Sequence, residues 1–446
     1  MEKQVDVLVV GGCTAGLYFG GLLARAGYSV LVCDKSREED LGNRFDVIHI
    51  GGDQFERFGL HKPAEGDPEY VRTFTHSVIK SALDKWPKKQ TSEIVVARRV
   101  PLMARLLAWA REGGAQVLFE TEFTEAIIEN DTLCGGVFTS GGKTLEIRAR
   151  LTADASGIPS VVRTKLPAGM GVENDELSPR DQFYVVLRYV KLKNPVEDAV
   201  KMNTTWLYYK CWLAPREQAG GAIIGVGANL SFDFANKCFE RFASRIKLPE
   251  YELDYTEQSS TPYRRPLYSF VANGFIALGD AAFITNPWTG EGVPYGWLLS
   301  KIAAEVAADA LRDGGVATLS ALWQTNVRYA KEQGALFAQN IALLPGALGC
   351  TPEENDYEFK KAIIFESDEE KGKGKLPLQL LGALFAGGIS FNSLKTLLGA
   401  ATTGGKLYKH YLAYPEGPAG FDSWVQTANA LWSKVISVAD LADADL

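Results

Sequence analysis

The stretch Gly11-Gly12-Cys13-Thr14-Ala15-Gly16 stands between an apolar run, Val7–Val10, and a predicted helix, Leu17 to Ala26, that Gly27 ends. A strand leading through glycines into a helix can bind an anion. Gly11 allows a tight turn, Gly16 lets the helix pack on the strand, and the helix N-terminus offers N–H groups and a positive dipole end. A second strand, Ser29 to Cys33, ends in Asp34, where an acid can accept from a ribose hydroxyl. Together these residues form a dinucleotide-binding βαβ pattern. One position departs from it, since the middle glycine is Cys13. A side chain that small is compatible with a bound pyrophosphate only if it turns away from the phosphates. Taken alone, the stretch also reads as an ordinary α/β turn.

A second constellation lies far along the chain. Gly274 to Leu278 predicts a short buried strand ending in Gly279-Asp280, with a turn at Pro287 and Gly290-Glu291-Gly292 before a helix over Gly296–Arg312. A carboxylate at a strand end beside a helix N-terminus can accept from a sugar or ribityl hydroxyl. Glu291 reads either as an acid or as a helix cap. Arg99 opens an amphipathic helix to Glu112, with Leu102, Leu106 and Leu107 near helical spacing. It reads equally as a surface charge or as a contact to the AMP half of a dinucleotide.

The remaining elements must position these groups. A short helix is predicted over Gln54–Phe58 and strands over 116–120, 125–129, 134–139, 144–149 and 151–155. Further strands at Asp181–Val190, Trp206–Trp212 and Ala222–Gly227 point to a separate sheet. Leu319–Ala342 reads as one helix, Glu366–Lys375 as a solvated loop, and the apolar, glycine-rich Leu376–Lys406 as packed helices.

The composition excludes several classes. The chain has 446 residues and a net charge of -7, so it carries no basic footprint for nucleic acid. Six cysteines without paired spacing and four histidines without ligand spacing predict no metal site and no disulfide framework, and fit a reducing cytoplasm. No signal peptide is predicted, and no apolar run is long enough to span a membrane.

The two glycine–acid constellations, joined by Asp154-Ala155-Ser156-Gly157-Ile158-Pro159, resemble the aromatic-hydroxylase-like flavoproteins. That resemblance implies FAD. It assigns Gly11, Gly12, Cys13, Ala15, Gly16, Asp34, Arg99, Gly157, Gly279, Asp280, Pro287, Gly290 and Gly292 to the cofactor. Ser156 stands where the hydroxylases carry an Asp tied to pyridine-nucleotide use, which counts against an NAD(P)H-driven hydroxylase. More specifically, the chain resembles the geranylgeranyl reductase family over nearly its whole length, and best its archaeal digeranylgeranylglycerophospholipid reductase branch. The resemblance is carried by Pro262–Tyr268, Asn286–Gly292, Lys210–Pro215 with Gly225-Val226-Gly227, and the tail from Leu407 to Trp424.

Two departures bear on chemistry. In the family's YxWxFP signature, Lys210 replaces Tyr and Ala214 replaces Phe, while Trp212 and Pro215 remain. The family's Pro-Cys-Gly motif falls on Phe45-Asp46-Val47, so the reactive cysteine is missing. His49 and then Asp46 become the candidate proton donors, although both also read as ordinary polar loop residues.

The resemblance implies an α/β fold: a discontinuous Rossmann-like FAD-binding domain (1–50, 95–165 and 266–312), an inserted antiparallel substrate sheet (51–94 and 166–265) and a helical C-terminal region (313–446) expected to close the pocket. It implies a reductase of C=C bonds in a prenyl or other apolar substrate, with hydride from reduced flavin and electrons from an external ferredoxin or reduced pyridine nucleotide. Trp212 and Pro215, with Trp206 and Tyr209 as neighbours, are expected to line the substrate site, although Trp212 alone also reads as sheet core. A lipid substrate would bring a cytoplasmic protein into peripheral contact with a membrane. A flavin monooxygenase or halogenase, and a non-catalytic flavin or lipid carrier, are the rival readings.

Overall fold

The computed structural model describes residues 2–42, 46–194, 203–367 and 376–437. The strands in chain order are β1 (Glu2–Val10), β2 (Val30–Cys33), β3 (Val47–Gly51), β4 (Tyr70–Lys80), β5 (Lys88–Arg98), β6 (Gln116–Leu118), β7 (Thr121–Glu129) and β8 (Thr132–Ser140). They continue as β9 (Lys143–Asp154), β10 (Gln182–Leu192), β11 (Asn203–Trp206), β12 (Cys211–Pro215), β13 (Gly221–Ala228), β14 (Tyr251–Pro262), β15 (Val271–Ala272) and β16 (Phe275–Ala277).

The first sheet runs β15-β16-β9-β1-β2-β6, parallel from β16 to β6, with the β7–β8 hairpin attached through β9. Val7–Val10 are buried as a continuous apolar run, as a strand covered on both faces requires. The helix Thr14–Arg25 follows β1 and packs between the helices Arg99–Glu112 and Val293–Leu311. The two strands predicted at 144–149 and 151–155 are the single strand β9.

The second sheet runs β14-β10-β13-β12-β11-β4-β5-β3 and is antiparallel except where β11 lies parallel to β4. All but the last residue of β3 lies in the segment 1–50 expected in the nucleotide domain, yet the strand pairs with β5 at the edge of this sheet. β5 itself continues across position 95, where a domain boundary was expected. One face of the sheet packs on the helix Phe232–Arg245, and the other faces a large cavity.

The strand predicted over Trp206–Trp212 is instead a hairpin. A 3-10 turn, Leu207–Tyr209, and Lys210 in the left-handed region (φ 52°) separate β11 from β12. Thr205 therefore pairs with Trp212, and Trp206 with Cys211.

The helix predicted over Leu319–Ala342 is also segmented. It comprises Leu319–Leu322, Gln324–Tyr329, a π-helical turn at Ala330–Gly334, and Ala335–Leu348. Leu376–Phe385 and Phe391–Leu412 are helical, and the latter packs on Ala335–Leu348. Most of the predicted solvated loop, from Asp368, lies outside the described residues, as do Asn43 to Phe45.

The C-terminal region is joined to the rest through the motif Pro262–Tyr268. Glu173 accepts from both Arg265 and Arg264 and from the Tyr268 N–H, and these two cations hold its carboxyl low against burial. Tyr268 donates to Asn429 Oδ1 at 2.6 Å, and Tyr414 donates to the Tyr268 carbonyl at 2.7 Å. The resemblance in these two segments is thus a packing joint.

Candidate active site

The turn after β1 is built for close backbone approach. Gly11 has φ +107°, and a Cβ there would lie 2.3 Å from the Ala155 carbonyl oxygen. At Gly16 a Cβ would lie 2.1 Å from the Gly11 oxygen. Cys13 precedes the helix Thr14–Arg25, and its thiol donates to the Ala155 carbonyl at 3.2 Å. Burial pushes that thiol up to about 11, so it stays a neutral donor. The side chain that replaces the middle glycine is thus held against β9, while the helix keeps the free first-turn N–H groups of any helix N-terminus.

Asp34 braces this turn from behind. Its Oδ2 accepts from the Gly12 N–H at 2.6 Å, and its Oδ1 accepts from the Ser36 N–H at 2.8 Å and the Ser36 hydroxyl at 2.5 Å. Lys35 lines the cavity rather than Asp34. Asp154 is tied down in the same way: it accepts from the N–H groups of Ser156, Val162 and Arg163 and from the Ser156 hydroxyl.

Opposite the turn, Gly279 (φ +58°) brings the backbone to 3.2 Å from Ala15 Cβ, measured from where its own Cβ would sit. Asp280 lines the cavity. Burial raises its carboxyl, a bond from Thr285 Oγ1 at 3.3 Å lowers it, and the Arg99 charge lowers it further. Arg99 is therefore a cavity residue and not a plain surface charge. Of the expected cofactor positions, Cys13, Ala15, Arg99, Gly157, Gly279, Asp280, Pro287, Gly290 and Gly292 line one cavity. Gly11, Gly12, Gly16 and Asp34 shape the turn behind it. Two backbone approaches that a Cβ would block, a helix N-terminus and a buried carboxylate fit a bound FAD: the turn suits its pyrophosphate and Asp280 its ribityl hydroxyls.

The cavity holds about 2050 Å³, more than the roughly 300–1,000 Å³ that a single drug-sized ligand fills. Beyond the cradle its wall is the second sheet, with Phe183, Val185, Leu187, Trp212, Ala214 and Ile223, and then the helical region, with Leu343, Leu344, Ala347, Phe365, Leu380 and Leu397. Gly225 and Gly227 are glycines for a visible reason. A Cβ at Gly225 would lie 2.0 Å from the Trp212 indole, and one at Gly227 would lie 1.9 Å from the Phe183 ring. Both rings lie flat on the sheet because the glycines leave room.

Trp206 and Tyr209 are not at the cavity. The hairpin turn sends them to the other face, where their rings meet Phe242 at 5.2 and 5.5 Å. Trp206 donates to Asp84 at 2.8 Å and Tyr209 to the Ala82 carbonyl at 3.0 Å, so both are core residues with satisfied polar ends. Pro215 is buried at the end of β12 opposite Ala222, and its carbonyl meets His49.

His49 lines the cavity, but burial pushes its imidazole down to about 4. The ring N–H that meets Pro215 leaves Nε2 as the acceptor, buried without a partner. A neutral ring so oriented has no spare proton to give at neutral pH, against its expected role as donor. Asp46 does not line the cavity. It pairs with Arg216 at 3.2 Å, and Arg216 also bonds Asp254 at 2.6 Å. Burial raises Asp46 while Arg216 lowers it, and the carboxylate is committed to this ion cluster.

Glu291 is the cavity acid that sequence reasoning ranked behind these two. Thr289 donates to it at 2.9 Å, and burial with the nearby Asp53 charge raises its carboxyl. The cavity's helical wall lies in the C-terminal region expected to close the pocket, but no spacing signal ties the particular residues Leu343 or Leu397 to β12. His61, Asp67 and Glu69 lie close enough together to suggest a metal, but Arg105 already bonds both carboxylates.

The cradle defines a flavin-binding protein, and the comparisons agree. The chain belongs to the FAD binding domain family, whose profile matches residues 4–297. It is similar to the digeranylgeranylglycerophospholipid reductase of Sulfolobus acidocaldarius, at 25% identity over 95% of this chain and 96% of the relative. Among solved structures it is similar to a geranylgeranyl bacteriochlorophyll reductase-like protein from Thermoplasma acidophilum, with a TM-score of 0.74, 15% identity, and 93% of this chain and 100% of that one covered. It is also similar in fold to a myxobacterial chondrochloren halogenase, with a TM-score of 0.63, 16% identity, and 90% and 97% covered.

Proposed function

We propose that this FAD-binding protein is a reductase of carbon–carbon double bonds in a prenyl or other long apolar chain. The observation that carries the reading is the shape of the cavity. One continuous space runs from the cradle at Asp280 and Gly292 to an apolar end among Leu344, Phe365 and Leu397. The near-full-length similarity to the Sulfolobus reductase supports the same reading.

Bound FAD, once reduced, supplies hydride. The chain's own residues do the rest. Trp212 provides a flat apolar wall against which an alkene can lie. The helical wall keeps water from the reacting carbons. Glu291, within the turn Pro287–Gly292, is the acid whose carboxyl burial raises, and it is placed on the cavity to pass a proton to the second alkene carbon. Electrons come from an external donor, a ferredoxin or a reduced pyridine nucleotide.

Among the described residues no single helix is long and apolar enough to cross a membrane. The helices at the cavity's apolar end still suit peripheral contact. Leu378, Phe385 and Phe391 are 66%, 87% and 71% exposed on helices whose inner residues Leu380 and Leu397 line the cavity. A lipid chain would enter there.

The test is anaerobic photoreduction of the FAD-loaded protein followed by addition of prenyl alkenes. Flavin reoxidation with a product two hydrogens heavier is expected. Failure of every alkene to reoxidise the flavin overturns the reading. An oxygen-dependent flavin adduct with an oxygenated or halogenated product moves it to the monooxygenase or halogenase class.

A further inference from the structure

Lys210 is a cation in an apolar wall. Its backbone is pinned by its own N–H on the Leu207 carbonyl and by its carbonyl under the Gly227 N–H, both at 3.0 Å. Its side chain lines the cavity. Nζ lies 5.3 Å from the Phe183 ring centroid and 5.6 Å from that of Tyr263, two rings stacked at 4.8 Å. Tyr263 in turn donates to the Pro287 carbonyl at 3.0 Å, so this corner adjoins the flavin-side turn.

The ammonium has three donors, and Asn229 Oδ1 accepts one at 3.2 Å. Asn229 is fixed in that orientation because its amide nitrogen donates to the carbonyls of Arg180 and Gln182. Among the described residues no carboxylate pairs with Lys210. The titratable groups that face it are Tyr263 and, from the helix Phe232–Arg245, Cys238. A cation in such a place is costly unless an anion completes it. Burial accordingly pushes the Lys210 ammonium down to about 8.

Among the described residues the other cations on the cavity lie elsewhere: Lys35 and Arg99 at the cradle, and Lys62 already bonded to Glu93 at 2.7 Å. One ammonium beside one amide matches a single negative charge. A phosphate dianion calls for several charged donors.

We propose that Lys210 anchors a carboxylate carried by the apolar substrate, so that the protein acts on a prenyl or comparable chain ending in an acid. The proposal rests on the reductase reading for the nature of the apolar tail. The anchored acid fixes which double bond lies against Trp212, since the distance from Lys210 sets the register of the chain.

The test uses the FAD-loaded protein and three ligands with one common tail: geranylgeranoic acid, geranylgeraniol and geranylgeranyl phosphate. Binding is measured by calorimetry at pH 7 and at about pH 9.5. The acid should bind about tenfold or more tightly than the alcohol at pH 7, as a charge-assisted bond allows. Binding of the acid requires the protonated amine, so this advantage should disappear as pH rises well above about 8. It should also disappear in Lys210→Met and persist in Lys210→Arg, with the bound-flavin spectrum of each variant reporting an intact fold. Equal binding of acid and alcohol overturns the anchor and leaves the reductase reading standing. So does an advantage that survives in Lys210→Met, or tighter binding of the phosphate than of the acid. Absence of binding by all three overturns the anchor together with the prenyl reading.

Discussion

The acids behind the cradle and the polar groups of the second sheet are held in different ways. Beside the first sheet, two acids behind the cradle are saturated, chiefly by backbone donors. Asp154 accepts three N–H groups and a hydroxyl, and Asp34 accepts two N–H groups and a hydroxyl. In the second, the polar atoms are left short. Asp46 Oδ1 and His49 Nε2 are buried without partners, and Lys210 has one acceptor for three donors. A saturated network is rigid and offers a fixed cradle, which suits a cofactor that does not change. An unsaturated wall keeps bonding capacity for a ligand that comes and goes.

The same contrast recurs across the second sheet itself. Its helix-facing side is closed core, and its cavity side carries the flat rings of Trp212 and Phe183. The largest effect expected is therefore a loss of stability of about 3–5 kcal/mol in Trp206→Ala, read by chemical denaturation. Trp212→Ala should instead impair turnover and leave the bound-flavin spectrum intact. If the two variants show the same pattern, the division of the sheet into core and cavity faces is wrong.

Glu291→Gln should slow single-turnover reoxidation of reduced flavin by about 10²-fold. The acid must be protonated to act and its pKa is raised, so the wild-type rate should be full at low pH and fall as pH rises through that pKa. A flat profile that matches the variant's would remove Glu291 from the chemistry.

Asp280→Ala tests the cradle. It should weaken FAD retention by about 1.5–3 kcal/mol, measured by flavin release, while the apoprotein remains folded. The smallest effect belongs to His49. With an imidazole pKa near 4, the wild-type rate should show no histidine inflection between about pH 5 and 8, and His49→Ala should reoxidise at the wild-type rate. A clear inflection near 6.5 would restore His49 as the donor and break the contrast between a neutral imidazole and an acidic Glu291.

The sequence by itself determined the cradle. Gly11, Gly16, Gly279 and Asp280 are legible because backbone approach and buried carboxylates demand particular residue types at fixed offsets from a strand end. The helix Arg99–Glu112 followed from its periodicity to the residue. Tertiary structure alone decided which groups face the cavity. Trp206 and Trp212 share a face on any continuous strand, since side chains alternate with period two. The left-handed turn at Lys210 reverses the chain and breaks that parity, sending one indole into the core and the other to the cavity. The intrinsic pKa of histidine points to His49, but burial, which no local spacing reveals, makes it neutral. The cavity's far end joins β12 to helices more than a hundred residues later, and such a juxtaposition exists only once the chain has packed.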